Sequence, residues 1–206
     1  RMHEFGHLEA LLQQAHPGKK LVVRNLSWAA DEVDLQPRPA NFANAEQHLT
    51  AMQADVLLAA FGFNESFAGK EGLPAFRERL TKYLEGVKAK AYNGKTSARV
   101  VLISPIANEN VKGVDAADRN NANIQAYIKV MKEVAAEQQV GFVDAFTATR
   151  KAMSSPGNDL TMNGAHLNEK GYQLFAATVF KQLFGKEAPK LDEKVRDAVV
   201  EKNKQH

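Results

Sequence analysis

The run Val56–Phe61, with the sequence VLLAAF, is a continuous series of apolar residues that ends at Gly62. A strand with one solvent-facing side alternates apolar and polar residues, whereas a parallel strand covered on both faces is apolar throughout. Gly62 breaks the run and permits a sharp change of chain direction. The stretch therefore predicts a central parallel strand, buried on both faces, that is followed at once by a turn.

The rest of the chain repeats a pattern of short apolar runs separated by helical segments. Three further runs predict strands: Leu21–Val23, Val100–Ile103 and Gly141–Val143. Apolar residues at helical spacing or polar, charged segments predict helices within residues 5–15, 45–52, 73–87, 124–134, 146–152, 168–183 and 191–204. Strands that alternate with helices are typical of an α/β fold, a three-layer, doubly wound, mostly parallel sheet with helices on both faces.

Length and composition narrow the class of protein. The 206 residues suit one large α/β domain, which we assign to residues 1–186, and residues 187–206 form a charged helix or linker. A net charge of +3 is too small to indicate nucleic-acid binding, and no apolar run reaches the roughly 18 residues of a membrane span. The absence of cysteine excludes disulfides and thiolate metal sites.

Cofactor motifs are also absent from the sequence. The chain has no glycine-rich phosphate-binding motif, so we expect no nucleotide cofactor. His3 and His7 have the four-residue spacing that can chelate a metal on a helix, but neither a carboxylate nor a third histidine accompanies them. We therefore expect a solvent-facing histidine pair and no metal site.

Polar residues gather where the predicted strands end. In a parallel sheet, ligand sites lie beyond the carboxyl ends of the strands. Three informative segments occupy such positions or precede a helix, namely Arg24–Asp31, Gly62–Ser66 and Asn163–Tyr172. Asn64 carries a carboxamide that can donate hydrogen bonds, and His166 carries an imidazole that can exchange a proton. The alternatives are that Asn64 ties down a loop and that His166 is a helix-entry histidine without a chemical role.

In this order, the three segments resemble three of the four conserved blocks of the SGNH (GDSL-type) ester hydrolases, from about Leu21 to about Phe180. The resemblance implies a flavodoxin-like sheet with the strand order second, first, third, fourth, fifth. It also implies a small ester substrate, such as an acyl or acetyl ester of a carbohydrate, and no cofactor. An extracytoplasmic location is favoured by the same resemblance.

The resemblance assigns roles to five residues. His166 matches the general base to a serine, and Asn64 with Gly62 matches the block that supplies an oxyanion donor. Ser27 stands where the family has a glycine whose backbone N–H also donates to the oxyanion. A serine can keep this donor only if the position does not adopt a positive φ. Asn163 stands where the family has the aspartate that orients the histidine, and it brings no negative charge; Asp159 is a nearby alternative.

The family's nucleophile, in a Gly-Asp-Ser block after the first strand, has no counterpart here. The chain begins in what resembles the helix after that block, so we expect the strand and its serine on a preceding segment or neighbouring domain of the same protein. Ser27, Ser66 and Ser104 lie in no nucleophile elbow and are expected to be loop residues. Two interpretations stay open: an ester hydrolase, and a non-catalytic SGNH-like binding or interaction module of a large bacterial protein. Trp28, the one tryptophan, either lines a pocket or packs in the core or at its rim.

Overall fold

The structure, a computed structural model, describes residues 2–113, 115–155 and 157–205. These residues form two compact units that are each discontinuous in sequence. The helical unit comprises residues 1–25, 106–117 and 144–206, and the sheet unit comprises residues 26–105 and 118–143. The predicted division of the chain at residue 186 stays a prediction.

Helices and strands alternate along the chain as the sequence predicts for an α/β protein. The strands are β1 (Val56–Ala60), β2 (Arg99–Ile103) and β3 (Gly141–Val143). The helices are α1 (Met2–Phe5), α2 (His7–Ala15), α3 (Ala45–Ala51), α4 (Leu73–Lys88), α5 (Ala117–Glu137), α6 (Ala145–Met153), α7 (Glu169–Phe184) and α8 (Glu193–Asn203), and a 3₁₀ helix spans Glu65–Gly72. The α/β class is confirmed.

The sheet is parallel, with the strand order β1-β2-β3. Leu57 pairs with Val100, and Leu102 pairs with Phe142. Buried side chains from the strands and from α4 and α5 form one core, which includes Leu80, Leu84, Leu102, Tyr127, Met131 and Val134. The strands therefore pack against α4 and α5.

β1 departs from the prediction of a central strand covered on both faces. It lies at one edge of the sheet, and its side chains alternate: Leu57 and Ala59 are buried, whereas Val56 is 47% and Leu58 is 37% exposed. A continuous apolar run indicates that both faces can be buried, but it does not specify what covers them. In the described residues, one face of β1 is covered and the other is open.

The strand predicted at Leu21–Val23 is wrong for the described residues. Residues 21–28 adopt no regular secondary structure, and Val22 is 72% exposed. A β-strand requires a ladder partner, and apolar composition alone does not provide one. In the sheet order that the resemblance implies, that partner is the strand of the first block.

The helical unit is built from two helix pairs and a covering helix. α2 and α6 both pack against α7, and α8 lies on α1 and α2. Gly6, with φ 68°, separates α1 from α2, so the predicted first helix is interrupted once. The side chain of Asn168 caps α7 by accepting a hydrogen bond from Gly171 N–H, as the sequence predicts. Among the described helices, none has the length and apolar character needed to cross a membrane.

Candidate active site

His166 lies at the end of a tight turn in the helical unit, which we call the histidine turn (residues 161–166). An isolated antiparallel bridge between Thr161 and Leu167 closes the turn, and Met162 N–H donates to His166 O at 2.8 Å. Gly164 has φ 86°, a left-handed conformation that glycine adopts without strain. The turn leads directly into α7, so the position of His166 is fixed by backbone hydrogen bonds on both sides.

The imidazole of His166 is oriented by Asn163. The Oδ1 atom of Asn163 lies 3.0 Å from His166 Nδ1 and also accepts a hydrogen bond from His166 N–H at 3.0 Å. An amide oxygen only accepts, so the contact favours the tautomer with the proton on Nδ1 and the lone pair on Nε2. Because His166 is exposed, Nε2 is accessible to a ligand. Among the described residues, the hydrogen bonds of the ring involve Asn163 and not Asp159.

Gly62 and Asn64 lie in a second turn, in the sheet unit, which we call the asparagine turn (residues 62–65). Gly62 has φ 96°, and a Cβ at this position would lie 3.1 Å from Met131 Sδ. Asn64 Nδ2 donates to Asp31 O at 3.2 Å, which ties the turn to the loop that precedes it. The predicted alternative, that Asn64 fixes a loop, is thus part of its role. A side-chain amide has two N–H donors, so this bond leaves one for a ligand.

Glu65 anchors the asparagine turn, and sequence reasoning missed its role. Its buried carboxylate accepts hydrogen bonds from Gly62 N–H at 2.8 Å and from Val33 N–H at 3.0 Å. Burial raises the pKa of Glu65, and the backbone N–H donors oppose this rise. The available signal was its place directly after Asn64, where the resembling family has an acidic residue.

Ser27 and Trp28 lie in the irregular loop of the sheet unit. Neither belongs to the described non-glycine residues with positive φ, so the backbone of Ser27 meets the condition that its predicted role sets. Trp28 is 47% exposed, which excludes a core role. Arg38 lies over the indole ring at 5.0 Å and forms a bidentate ion pair with Asp31 at 2.7 Å. The loop thus presents a restrained aromatic surface.

The structure brings the predicted residues together in two groups. His166 and Asn163 are in contact in the helical unit, and Gly62, Asn64 and the loop of Ser27 lie in the sheet unit. Asn163 orients the imidazole and the asparagine turn is held by hydrogen bonds, whereas the predicted catalytic roles stay predictions. A shared pocket for the two groups stays a prediction.

The structure also tests the predictions for the serines and for the His3–His7 pair. Ser104 Oγ donates to Pro105 O at 3.0 Å outside any helix or strand, as expected for a loop serine. The prediction is wrong for Ser66, which lies in the 3₁₀ helix and donates from Oγ to Phe63 O at 2.6 Å. The prediction that His7 faces solvent is wrong, because its side chain is 3% exposed beneath α8 and burial lowers its pKa. The four-residue spacing of His3 and His7 describes a single helix, and it does not show that α8 covers His7. The described residues contain no group of three or more His, Asp or Glu side chains that could hold a metal ion.

Solved structures share the fold of this chain. A catalytic mutant of an acetylxylan esterase from Geobacillus stearothermophilus has 20% identity and a TM-score of 0.67, and the match covers 86% of this chain and 78% of that chain. A candidate arylesterase from Agrobacterium tumefaciens has 16% identity and a TM-score of 0.61, with 86% and 85% covered. At these identities, the similarity shows the fold alone.

Sequence comparison gives the family. No curated protein matches the chain. The family model of the GDSL-like Lipase/Acylhydrolase family matches residues 3–174, which include both turns and the start of α7. On this match, the chain belongs to the GDSL-like lipase/acylhydrolase family and carries an ester hydrolase domain.

Proposed function

We propose that the chain is the larger part of a serine hydrolase that removes an acyl or acetyl group from a carbohydrate ester. Its nucleophilic serine would be supplied by a segment outside these 206 residues. The observation that carries the proposal is the exposed His166 imidazole, whose Nδ1 is bound to Asn163 Oδ1 at 3.0 Å. This contact leaves Nε2 as the proton acceptor that a serine nucleophile needs.

The chemistry of His166 follows from this orientation. Nε2 would take the proton of the serine hydroxyl during attack on the ester carbonyl, and the resulting imidazolium would return it to the leaving alcohol. Asn163 holds the ring but supplies no negative charge to stabilise the imidazolium. In the serine-protease triad, the change of the orienting Asp to Asn lowers kcat by about 10⁴-fold. We therefore expect slower turnover than in relatives with an aspartate at this position.

The asparagine turn and the loop of Ser27 would supply the groups for the oxyanion. The second N–H of the Asn64 amide and the backbone N–H of Ser27 would donate to the negative charge that develops on the carbonyl oxygen of the ester. Glu65 and Asp31 O fix Gly62 and Asn64 before substrate binds. Donors held in advance need no reorganisation in the transition state, and removal of one such donor costs about 3 kcal/mol.

The open edge of β1 supports a serine-bearing strand from elsewhere. β1 pairs with β2 on one side only, and its exposed face carries Val56 and Leu58. Parallel sheets are normally buried on both faces, and unpaired strand edges attract a further strand. A five-residue apolar strand that ends in a serine would extend the sheet next to Val56–Ala60 and bring its hydroxyl to the strand-end side of the sheet.

The loop around Trp28 supports a carbohydrate as the alcohol part of the ester. The indole is half exposed, and the Asp31–Arg38 ion pair restrains the guanidinium over it. An aromatic side chain held in this way offers a flat apolar surface with a polar edge, which suits a sugar ring. Trp28 is one residue from Ser27, a predicted oxyanion donor.

The test uses the longer protein that includes the residues upstream of Arg1. We expect it to hydrolyse a short-chain nitrophenyl ester, and we expect His166→Ala to abolish this activity. Asn64→Ala should lower kcat by about 10²- to 10³-fold. His3→Ala, at an exposed histidine of the same unit, is the control and should retain activity. Turnover by His166→Ala equal to that of the unmodified protein would contradict the assignment of the base.

The second candidate function is a non-catalytic binding module of the same fold. Asn163 in place of a carboxylate and the bond from Asn64 to Asp31 O favour it. Asn163→Asp separates the two candidates, because the added charge should raise kcat in an enzyme. A longer protein that hydrolyses no ester in either form, but binds an acetylated oligosaccharide, would be a module.

A further inference from the structure

Glu109 lies in the segment between β2 and α5 and contacts the histidine turn from outside. Its carboxylate accepts hydrogen bonds from Leu160 N–H at 3.1 Å, from Thr161 N–H at 2.8 Å and from Thr161 Oγ1 at 2.6 Å. All of these residues belong to the helical unit. One side chain therefore gathers three donors at the start of the turn.

The backbone beside this carboxylate holds the other end of the turn. Glu109 N–H donates to Gly164 O at 2.9 Å, and the buried Asn108 Nδ2 donates to the same oxygen at 2.8 Å. Gly164 N–H donates in turn to Thr161 Oγ1 at 3.0 Å. The hydroxyl of Thr161 thus links the carboxylate to the residue that follows Asn163.

Packing leaves little freedom at this contact. A Cβ on Gly164 would lie 2.7 Å from Glu109 O, so the turn rests directly on the backbone of Glu109. Asn163 lies between the two fixed points, Thr161 and Gly164. In this shape of the turn, the Oδ1 atom of Asn163 lies 3.0 Å from His166 Nδ1.

We propose that Glu109 is a positioning residue for His166. This proposal rests on the proposed function, in which His166 is the base. The negative charge is needed because one group must accept from three donors. A carboxylate has about four acceptor sites on two oxygens, whereas the amide of glutamine accepts through one oxygen only. Hydrogen bonds to an ionised acceptor are also about twice as strong as neutral ones.

The competing role is purely structural, in which Glu109 stabilises the helical unit without effect on the imidazole. The two roles differ in one observable, the state of the His166 ring in the folded protein. If Glu109 positions the ring, its loss weakens the bond between Asn163 Oδ1 and His166 Nδ1. The ring nitrogen signals in NMR spectra report this bond directly, and they do not depend on any hydrolytic activity.

The experiment compares Glu109→Gln with Glu187→Gln in the isotope-labelled longer protein. Glu187 is an exposed glutamate of the same unit that pairs with Lys181, so it is the matched control. We expect Glu109→Gln to speed amide exchange of Leu160 and Thr161 by about 10-fold or more and to shift the His166 ring nitrogen signals. Glu187→Gln should change neither. Ring signals that stay unchanged in a folded Glu109→Gln chain would overturn the proposal.

A second pair of variants keeps the test valid if Glu109→Gln does not fold. Thr161→Val removes the hydroxyl that joins Glu109 to Gly164, and Thr161→Ser keeps it. We expect ring shifts in Thr161→Val and none in Thr161→Ser; equal shifts in both would count against the proposal. In the longer protein, Glu109→Gln should lower kcat with little change in KM. Absence of hydrolysis there would contradict the proposed function, while the ring signals would still decide the role of Glu109.

Discussion

The histidine turn and the asparagine turn are each held by a glutamate carboxylate, but the two carboxylates come from different positions relative to their turns. In both, one glutamate collects backbone N–H donors and fixes a glycine that has a positive φ. Glu65 belongs to its own turn and lies three residues from Gly62, whereas Glu109 comes from 52 residues before Thr161. The asparagine turn is therefore encoded mainly by a local motif, and the histidine turn depends on tertiary structure.

The two carboxylates also differ in environment. Glu65 is buried, and this burial raises its pKa against the effect of the N–H donors of Val33 and Gly62. Glu109 is only partly buried, and its three donors approach from one segment. The asparagine turn thus depends on a buried carboxyl group, while the histidine turn combines a partly buried carboxylate with tight backbone packing.

The largest expected effect comes from alanine at the glycine of the histidine turn. Gly164→Ala would place a Cβ 2.7 Å from the carbonyl oxygen of Glu109, which is backbone and cannot move aside. A left-handed alanine costs about 1–2 kcal/mol and overpacking about 1–3 kcal/mol, so we expect a loss of about 2–5 kcal/mol. The free energy of unfolding, measured with urea, gives the value.

The loss of unfolding free energy in Gly164→Ala is to be compared with the losses in Gly62→Ala and Gly185→Ala. At Gly62 the nearest atom is Sδ of the flexible Met131 at 3.1 Å, and at Gly185 nothing lies within 4 Å. We expect about 1–2 kcal/mol for Gly185→Ala, from backbone strain alone, and an intermediate loss for Gly62→Ala. If Gly164→Ala is no worse than Gly185→Ala, the packing of the histidine turn on Glu109 is not a constraint.

The same contrast explains which features could be predicted from the sequence. The apolar runs located β1, β2 and β3, and a local capping motif located the start of α7, because these signals lie within a few residues. Asn64 and His166 could be predicted as site residues for the same reason, as polar residues at segment ends, and their catalytic roles stay predictions. Glu109 was not found, since nothing near it in sequence shows that Thr161 folds onto its carboxylate. The strand prediction at Leu21–Val23 failed because a strand needs a neighbouring strand to form hydrogen bonds with, and the apolar character of its own residues does not show whether that neighbour is present.

The second prediction concerns the buried carboxylate of the asparagine turn. Glu65→Gln should lower the free energy of unfolding by about 1–3 kcal/mol at acidic pH, because one of the N–H groups of Gly62 and Val33 then faces an amide NH₂ and loses its acceptor. Glu71→Gln, at an exposed position of the same 3₁₀ helix, is the control and should have little effect. Equal stability of the two variants would show that the local motif does not need its carboxylate.

The pH dependence sharpens this test. Because burial raises the pKa of Glu65 above its usual value of 4.5, the folded chain holds this proton more tightly than the unfolded chain. The stabilising contribution is therefore complete below about pH 4.5 and is lost as pH rises through the raised pKa. Glu65→Gln lacks this titration, so its deficit relative to the unmodified chain should shrink from about pH 4.5 to pH 8. Urea unfolding at both ends of that range measures the change, and a deficit that grows would reverse the assigned direction.

The smallest effect on stability is expected at Asn163, although it touches the proposed base. Asn163 and His166 are both exposed, and the hydrogen bonds that Asn163 Oδ1 makes to the ring and to the backbone N–H of His166 exchange with water at little net gain. We expect Asn163→Ala to lower the free energy of unfolding by less than about 1 kcal/mol, in contrast to Gly164→Ala one residue later. The ring nitrogen signals of His166 should nevertheless shift, because Nδ1 loses its acceptor. A large loss of stability would mean that Asn163 shapes the turn itself, and that the turn is not held by Glu109 and Gly164 alone.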